Sequence, residues 1–212
     1  MKISDLPKTV SIFPLVNVVF FPKTILPLNI FEDKYIQLVA DCMKSQRLFG
    51  MVQPNFKSNV NLEVYKVGCL GKITNFEETN DNRFIITLSG IIRFRIEEEL
   101  NNNKLYRQFK VNYSDFANDL VSVKIEKENN DLIKILKKIK IFFRKKNYLV
   151  EFEKLEKLNF DQLVSTICMV APFSVEEKQK LIETIKLENK IKILEEIINF
   201  NLADTLENNT IQ

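Results

Sequence analysis

The spacing of apolar residues changes once along the chain. Up to Tyr113 they come in short runs and in alternations of period two, and beyond Phe116 they recur every three to four positions. In the first part, Val10 to Phe21 has strand composition, with Pro14 and Pro22 confining it to an edge or to two short strands. Leu26 to Ile30 is a second extended piece. Phe31, Tyr35, Leu38, Val39, Cys42 and Met43 then follow helical spacing and predict a helix over Glu32–Ser45, with Phe31 on its apolar stripe. Leu48–Val52 and Val64–Phe76 read as strands, the second with Gly68 and Gly71 marking a bulge or a close backbone approach. Thr79-Asn80-Asp81-Asn82 has hairpin-turn chemistry, because Asn and Asp tolerate left-handed backbone. The return strand Phe84–Leu88 stops at Ser89-Gly90. Ile92, Phe94 and Ile96 then alternate with charged residues, as Phe109, Val111 and Tyr113 alternate with polar ones. Short strands with one helix predict a small β-barrel or curled sheet.

In the second part, Leu132, Ile135, Leu136, Ile139, Phe142 and Phe143 form one arc of a helix whose other side carries Lys134, Lys137, Lys138, Lys140, Arg144 and Lys145. A helix over Asp161–Val170 places Leu163, Ile167 and Val170 on one face. Ser174-Val175-Glu176-Glu177 is a capping box that opens a third helix, and Leu187, Ile191, Leu194 and Ile198 mark a fourth. Short connections imply a helical bundle. The expected class is α+β, with a β-rich domain over 1–116 and a helical bundle over 117–212.

Composition removes function classes more than it supplies them. The chain has 212 residues, a net charge of +3 and no histidine. Ser-His-Asp and Cys-His triads and HExxH metal sites each need an imidazole, so all are excluded. There is no GxxxxGK[ST] phosphate loop, and no GxGxxG turn among only 4 glycines. Cys42, Cys69 and Cys168 have neither disulfide nor zinc spacing and read as buried thiols. No cofactor is expected. Asp5 and Pro7 interrupt any signal-peptide core, and the run Val18–Phe21 is too short to span a bilayer, so the expectation is a cytoplasmic protein without a membrane partner.

The stretches "FPLVNVVFFPKTILPLNIFEDKY", "FGMVQP", "YKVGCLGKITNFEE" and "LSGIIRFRI", in this order, resemble the Lon N-terminal (substrate-binding) domain family, and in particular its free-standing bacterial members. The resemblance runs over roughly residues 6 to 200, including "SVEEKQKLIE" in the helical part. It implies a PUA-like β-barrel followed by a helical bundle, without the ATPase and Ser-Lys peptidase that follow this module in the full-length protease. The family usually has Gly where Lys23 stands and Arg where Lys34 stands.

What the resemblance implies for function is a non-enzymatic recognition or adaptor module linked to proteolysis or protein quality control. Its partners would be unfolded or apolar polypeptide segments, with a protease or chaperone as a further partner. The candidate contact residues are Phe20, Phe21, Phe31, Glu32 and Lys34. Phe20 and Phe21 stand at a strand end where successive side chains face opposite ways, so one of them points outward if the strand continues that far; the competing expectation is that both are tucked under the following loop. The alternative is RNA binding, since PUA-type barrels occur in RNA-binding proteins and Arg93, Arg95 and the basic arc from Lys134 to Lys146 offer phosphate contacts. Carboxylate runs such as Glu97-Glu98-Glu99 diverge along a strand and read as solvent-facing charge rather than an acid–base pair.

Overall fold

A computed structural model describes residues 2–56, 63–121, 130–155 and 157–207, and the side chains of all of these but 130–135 and 204–207. The predicted helical positions Leu132, Lys134 and Ile135 therefore lie outside the described side chains. The chain divides into two compact units, Met1–Val121 and Ser122–Gln212.

The first unit contains β1 (Thr9–Pro14), β2 (Ile25–Ile30), α1 (Asp33–Met43), β3 (Leu48–Val52), β4 (Pro54–Asn55), β5 (Glu63–Val64), β6 (Val67–Glu78), β7 (Phe84–Leu100) and β8 (Gln108–Asn112). Short 3-10 segments occupy Ile3–Asp5 and Ser114–Leu120. The main sheet has the order β2-β7-β6-β3-β1-β8, and β8 also pairs with the far end of β7 over Arg95–Leu100. The result is a curled sheet rather than a closed barrel, with β2 left at an edge.

β7 is one long strand where two were expected. Gly71 pairs with Gly90 and Leu70 with Ile92, so the chain bulges at Ile91 instead of ending at Ser89-Gly90. The bulge bends the strand and lets it pair with β2 and β6 at one end and with β8 at the other. Phe84, Ile86, Leu88, Ile92, Phe94 and Ile96 all face the core, as period-two alternation requires. Gly50 and Gly68 leave room there for the Phe94 ring, since a Cβ at either would approach it to less than 3 Å. Tyr35 of α1 stacks on Phe13 with ring centroids 4.1 Å apart, which docks the first turn of the helix on β1.

The unit's boundary falls after Val121, beyond the Phe116 suggested by the change of period, because Ser114–Leu120 is pinned to β7. Asp119 accepts hydrogen bonds from the Arg93 backbone N–H, Nε and Nη2 at 3.0, 2.9 and 2.8 Å, and the Arg93 guanidinium lies over the Phe116 ring.

The second unit contains α2 (Asn130–Lys145), α3 (Phe152–Leu155), α4 (Phe160–Val170), α5 (Val175–Glu183) and α6 (Leu187–Glu207). Ile139, Phe142 and Phe143 of α2, Leu163 and Ile167 of α4, Leu181 and Ile182 of α5, and Leu194 and Ile198 of α6 are buried. Val170, expected on the apolar face of α4, is instead 38% exposed, at the helix's last residue. The capping box forms as predicted, with Glu177 N–H donating to Ser174 Oγ and Ser174 N–H to the Glu177 carboxylate.

Candidate functional site

The residues singled out from sequence separate into two groups. Phe20 and Phe21 are both core residues, 2% and 0% exposed, so of the two expectations the tucked arrangement holds and neither ring points outward. The alternation argument fails because β1 ends at Pro14, so Phe20 and Phe21 lie in a loop and not on a strand. That loop is held against β7: Lys23 N–H donates to the Gly90 carbonyl, Gly90 N–H to the Thr24 carbonyl, each at 2.9 Å, and Thr24 Oγ1 to the Phe21 carbonyl at 2.6 Å. A side chain at residue 90 would collide with Phe21, because an added Cβ would sit 2.2 Å from its carbonyl oxygen. The tuck therefore drives both rings inward.

Phe31, Glu32 and Lys34 remain at the surface. Phe31 is 63% exposed and precedes α1, which starts at Asp33, so it is not part of the helix's core stripe. Lys34 Nζ lies 2.9 Å from Glu32 Oε2 and 4.7 Å from the centroid of the Tyr35 ring. The Glu32 carboxylate raises the Lys34 pKa, so the ammonium persists throughout the neutral range.

These three residues continue a strip that sequence reading missed. Ile25, Pro27 and Asn29 are the exposed positions of β2, and Ile25 is 61% exposed. Ile85, directly across from Asn29 on β7, is exposed as well. The signal was in "ILPLNIF", which is apolar at both odd and even positions. A half-buried strand needs only one apolar face, so an apolar second face on an edge strand marks exposed hydrophobic surface. Pro27 lacks an N–H, so its nitrogen must face the unpaired edge, and the edge is poorly suited to accept a further strand.

Two polar features bear on other chemistries. Asp41, Lys104 and Tyr106 meet beside a cavity of about 340 Å³, with Lys104 Nζ 2.7 Å from Tyr106 Oη and 2.9 Å from Asp41 Oδ2. Tyr106 and Asp41 together raise the Lys104 pKa, so it has no lone pair to act as a base at neutral pH. Burial pushes the neighbouring Cys42 thiol up to about 12, and the Asp41 charge adds to the effect, which leaves it unreactive. The phosphate contacts expected of Arg93 do not hold either: Arg93 is 2% exposed and committed to Asp119, while Arg95 is paired with Asp115 at 3.0 Å. Among the described residues no cluster of three or more Cys, Asp or Glu is arranged to hold a metal, and no helix is long and apolar enough to cross a membrane.

A curled β unit followed by a helical unit, with an apolar strip along one edge strand, defines an α+β protein of two compact units. Residues 9–199 match the family described as the ATP-dependent protease La (LON) substrate-binding domain, and the chain belongs to that family. It is 25% identical over 199 residues to Lon protease 2 of Myxococcus xanthus, covering 92% of this chain and 24% of that protein. Lon protease of Cytophaga hutchinsonii is 30% identical over 145 residues, or 65% of this chain and 18% of that one. The chain thus spans about a quarter or less of the relatives it matches. The crystal structure of a Lon N-terminal domain protein from Xanthomonas campestris superposes with a TM-score of 0.64 at 18% identity, covering 88% of this chain and 96% of that one. The N-terminal domain of the Mycobacterium avium complex Lon protease gives 0.61 at 12% identity over 91% and 98%. These likenesses show the fold.

Proposed function

We propose that this chain is a non-catalytic polypeptide-binding module that engages unfolded or apolar segments for protein degradation, with a protease or chaperone as the downstream partner. The observation that carries the reading is the exposed apolar strip of Ile25, Pro27, Phe31 and Ile85 along an edge strand whose opposite face carries half-buried Leu26 and Leu28 and buried Ile30. A folded monomer gains nothing from leaving these side chains in water, whereas an apolar segment laid across them removes that surface from solvent. Contact runs through side chains over the outer face and not by strand addition, because Pro27 withholds a donor from the edge. The Glu32–Lys34 pair at the end of the strip supplies both signs of charge to a bound chain, which favours tolerance over selectivity.

The test is fluorescence anisotropy with a permanently unfolded, carboxymethylated protein as ligand. Binding in the tens-of-micromolar range is expected, and Ile25→Ser with Phe31→Ser should weaken it by about tenfold, which corresponds to roughly 1.4 kcal/mol, a modest part of what full burial of two large apolar side chains yields. Absence of binding by the unaltered protein, or binding indifferent to the double substitution, would refute the proposal.

A further inference from the structure

We infer that the exposed side of α2 and the turn that ends it form a second polypeptide-contact surface, one that selects segments combining acidic with apolar side chains. The inference takes its ligand class from the polypeptide-binding reading above, but it lies in the other unit and stands on separate residues.

The first observation is charge. Residues 132–150 contain seven Lys or Arg and no Asp or Glu, whereas the whole chain carries 31 cations and 28 anions. The remainder therefore has 31 − 7 = 24 cations against 28 anions and is net acidic, so the overall positive charge resides in this one segment. The second is geometry. Ile139, Phe142 and Phe143 turn into the helical core, which sends Lys137, Ile141, Arg144 and Lys145 to a common outer stripe at i, i+4, i+7 and i+8. Lys138 is taken up by Glu195 of α6 at 2.5 Å, and Lys140 lies over the Phe152 ring. Lys137, Arg144 and Lys145 have no acidic partner among the described residues.

The third observation is apolar exposure built into a fixed turn. Asn147 N–H donates to the Arg144 carbonyl at 3.1 Å and Tyr148 N–H to the Phe143 carbonyl at 2.9 Å, with Asn147 in left-handed backbone at φ 56°. This is a Schellman motif, and its usual hydrophobic contact is made by Tyr148 edge-on to Phe143. The turn leaves Tyr148 half exposed and Leu149 with its full surface in solvent, next to the last-turn cations, and Ile141 is 49% exposed between Lys137 and Arg144.

This mixture decides the ligand. A nucleic-acid backbone would answer the cations but give Ile141 and Leu149 nothing to bury against. A bilayer surface would need the apolar side chains gathered below a rim of cations, and Ile141 sits within the basic stripe instead. An extended polypeptide with acidic and apolar side chains supplies both complements at residue spacing.

The test measures anisotropy of two labelled unstructured peptides of equal apolar content, one carrying Glu and the other Lys. The Glu peptide should bind at least about tenfold more tightly, and added salt should erode the difference. Arg144→Gln with Lys145→Gln, and separately Leu149→Ser, should each weaken the Glu peptide severalfold, and the Arg144/Lys145 pair should bring it to the affinity of the Lys peptide. Unaltered thermal melts would verify that the variants fold. Equal affinity for the two peptides would overturn the inference, as would indifference to the α2 variants. A preference for the Glu peptide that disappears in Phe31→Ser would assign the acidic selectivity to β2, and tighter, Arg144-dependent binding of a single-stranded oligonucleotide or of anionic vesicles would replace polypeptide with that ligand.

Discussion

Lys23 holds a backbone conformation that lysine disfavours. Its φ of 62° lies in the left-handed region, where an L side chain costs on the order of 1 kcal/mol. Asn17, Asn82 and Asn147 adopt the same region with the residue type that suits it, and the hairpin asparagine was legible for that reason. At Lys23 the resemblance supplied the hint, since the family usually carries Gly there; no local pattern did. The Nζ donates to the Val121 carbonyl at 2.9 Å, and this exposed bond offsets part of the cost. Lys23→Gly should therefore raise unfolding free energy by about 0.5 kcal/mol in urea titrations. A decrease would mean that the Val121 bond outweighs the strain. Gly90→Ala should do the reverse, costing about 2–3 kcal/mol, because the new Cβ would be driven into the Phe21 carbonyl. The same contact explains why the sequence left Phe20 and Phe21 open between an outward and a tucked position: their burial depends on a glycine far along the chain, and nothing within "VVFFPK" records it.

The elements differ in how they are held, and charge separates two neighbouring cases on the 3-10 segment Ser114–Leu120. Asp119 meets a guanidinium whose side chain is 3% exposed, and Asp115 meets one that is 45% exposed. Asp119→Ala leaves a buried, uncompensated Arg93 and should cost about 3–5 kcal/mol. Asp115→Ala removes a screened pair and should cost less than about 1 kcal/mol. Denaturation midpoints of the two variants measured side by side check the contrast; equal losses would show that Arg93 finds another partner. Strands, hairpin turn, α1 and the capping box were legible because each is fixed by local chemistry: period two, Asn tolerance of left-handed backbone, helical spacing, a Ser–Glu exchange of hydrogen bonds. The continuous β7 was not, because Gly90 reads as a terminator while tertiary pairing turns it into a bulge. Of the candidate site, Phe31, Glu32 and Lys34 were named from the resemblance, while helical spacing put Phe31 on the core stripe although it is exposed, and Ile25 and Ile85 were missed because apolar strand residues are normally assigned inward.

At the scale of the whole molecule, the absence of histidine shapes the response to pH. No side chain has an ordinary pKa between 5 and 8, and the thiol that would come nearest, Cys42, is pushed from 9 to about 12 by burial. The acid limb belongs to Asp41, lowered by Lys104 and Tyr106, and to Glu99, lowered by Arg107. In both, the folded carboxyl binds its proton less tightly than the unfolded one, so their stabilisation is complete above about pH 4–4.5 and is lost as pH falls through the folded values. The alkaline limb has the opposite origin. Burial raises Cys42 and Tyr113, so the folded state keeps protons that the unfolded chain releases, and stability is full below about pH 8.5 and declines as pH rises above it. The thermal midpoint is therefore expected to be flat between about pH 5.5 and 8 and to fall on either side. Tyr113→Phe should lower the plateau by about 1 kcal/mol through loss of the 2.8 Å bond to the Pro7 carbonyl, yet narrow the gap to the unaltered protein at pH 10–11, where the phenol's proton no longer favours folding. A step in the midpoint near pH 6.5 would contradict this account, because no side chain of this protein has an ordinary pKa there.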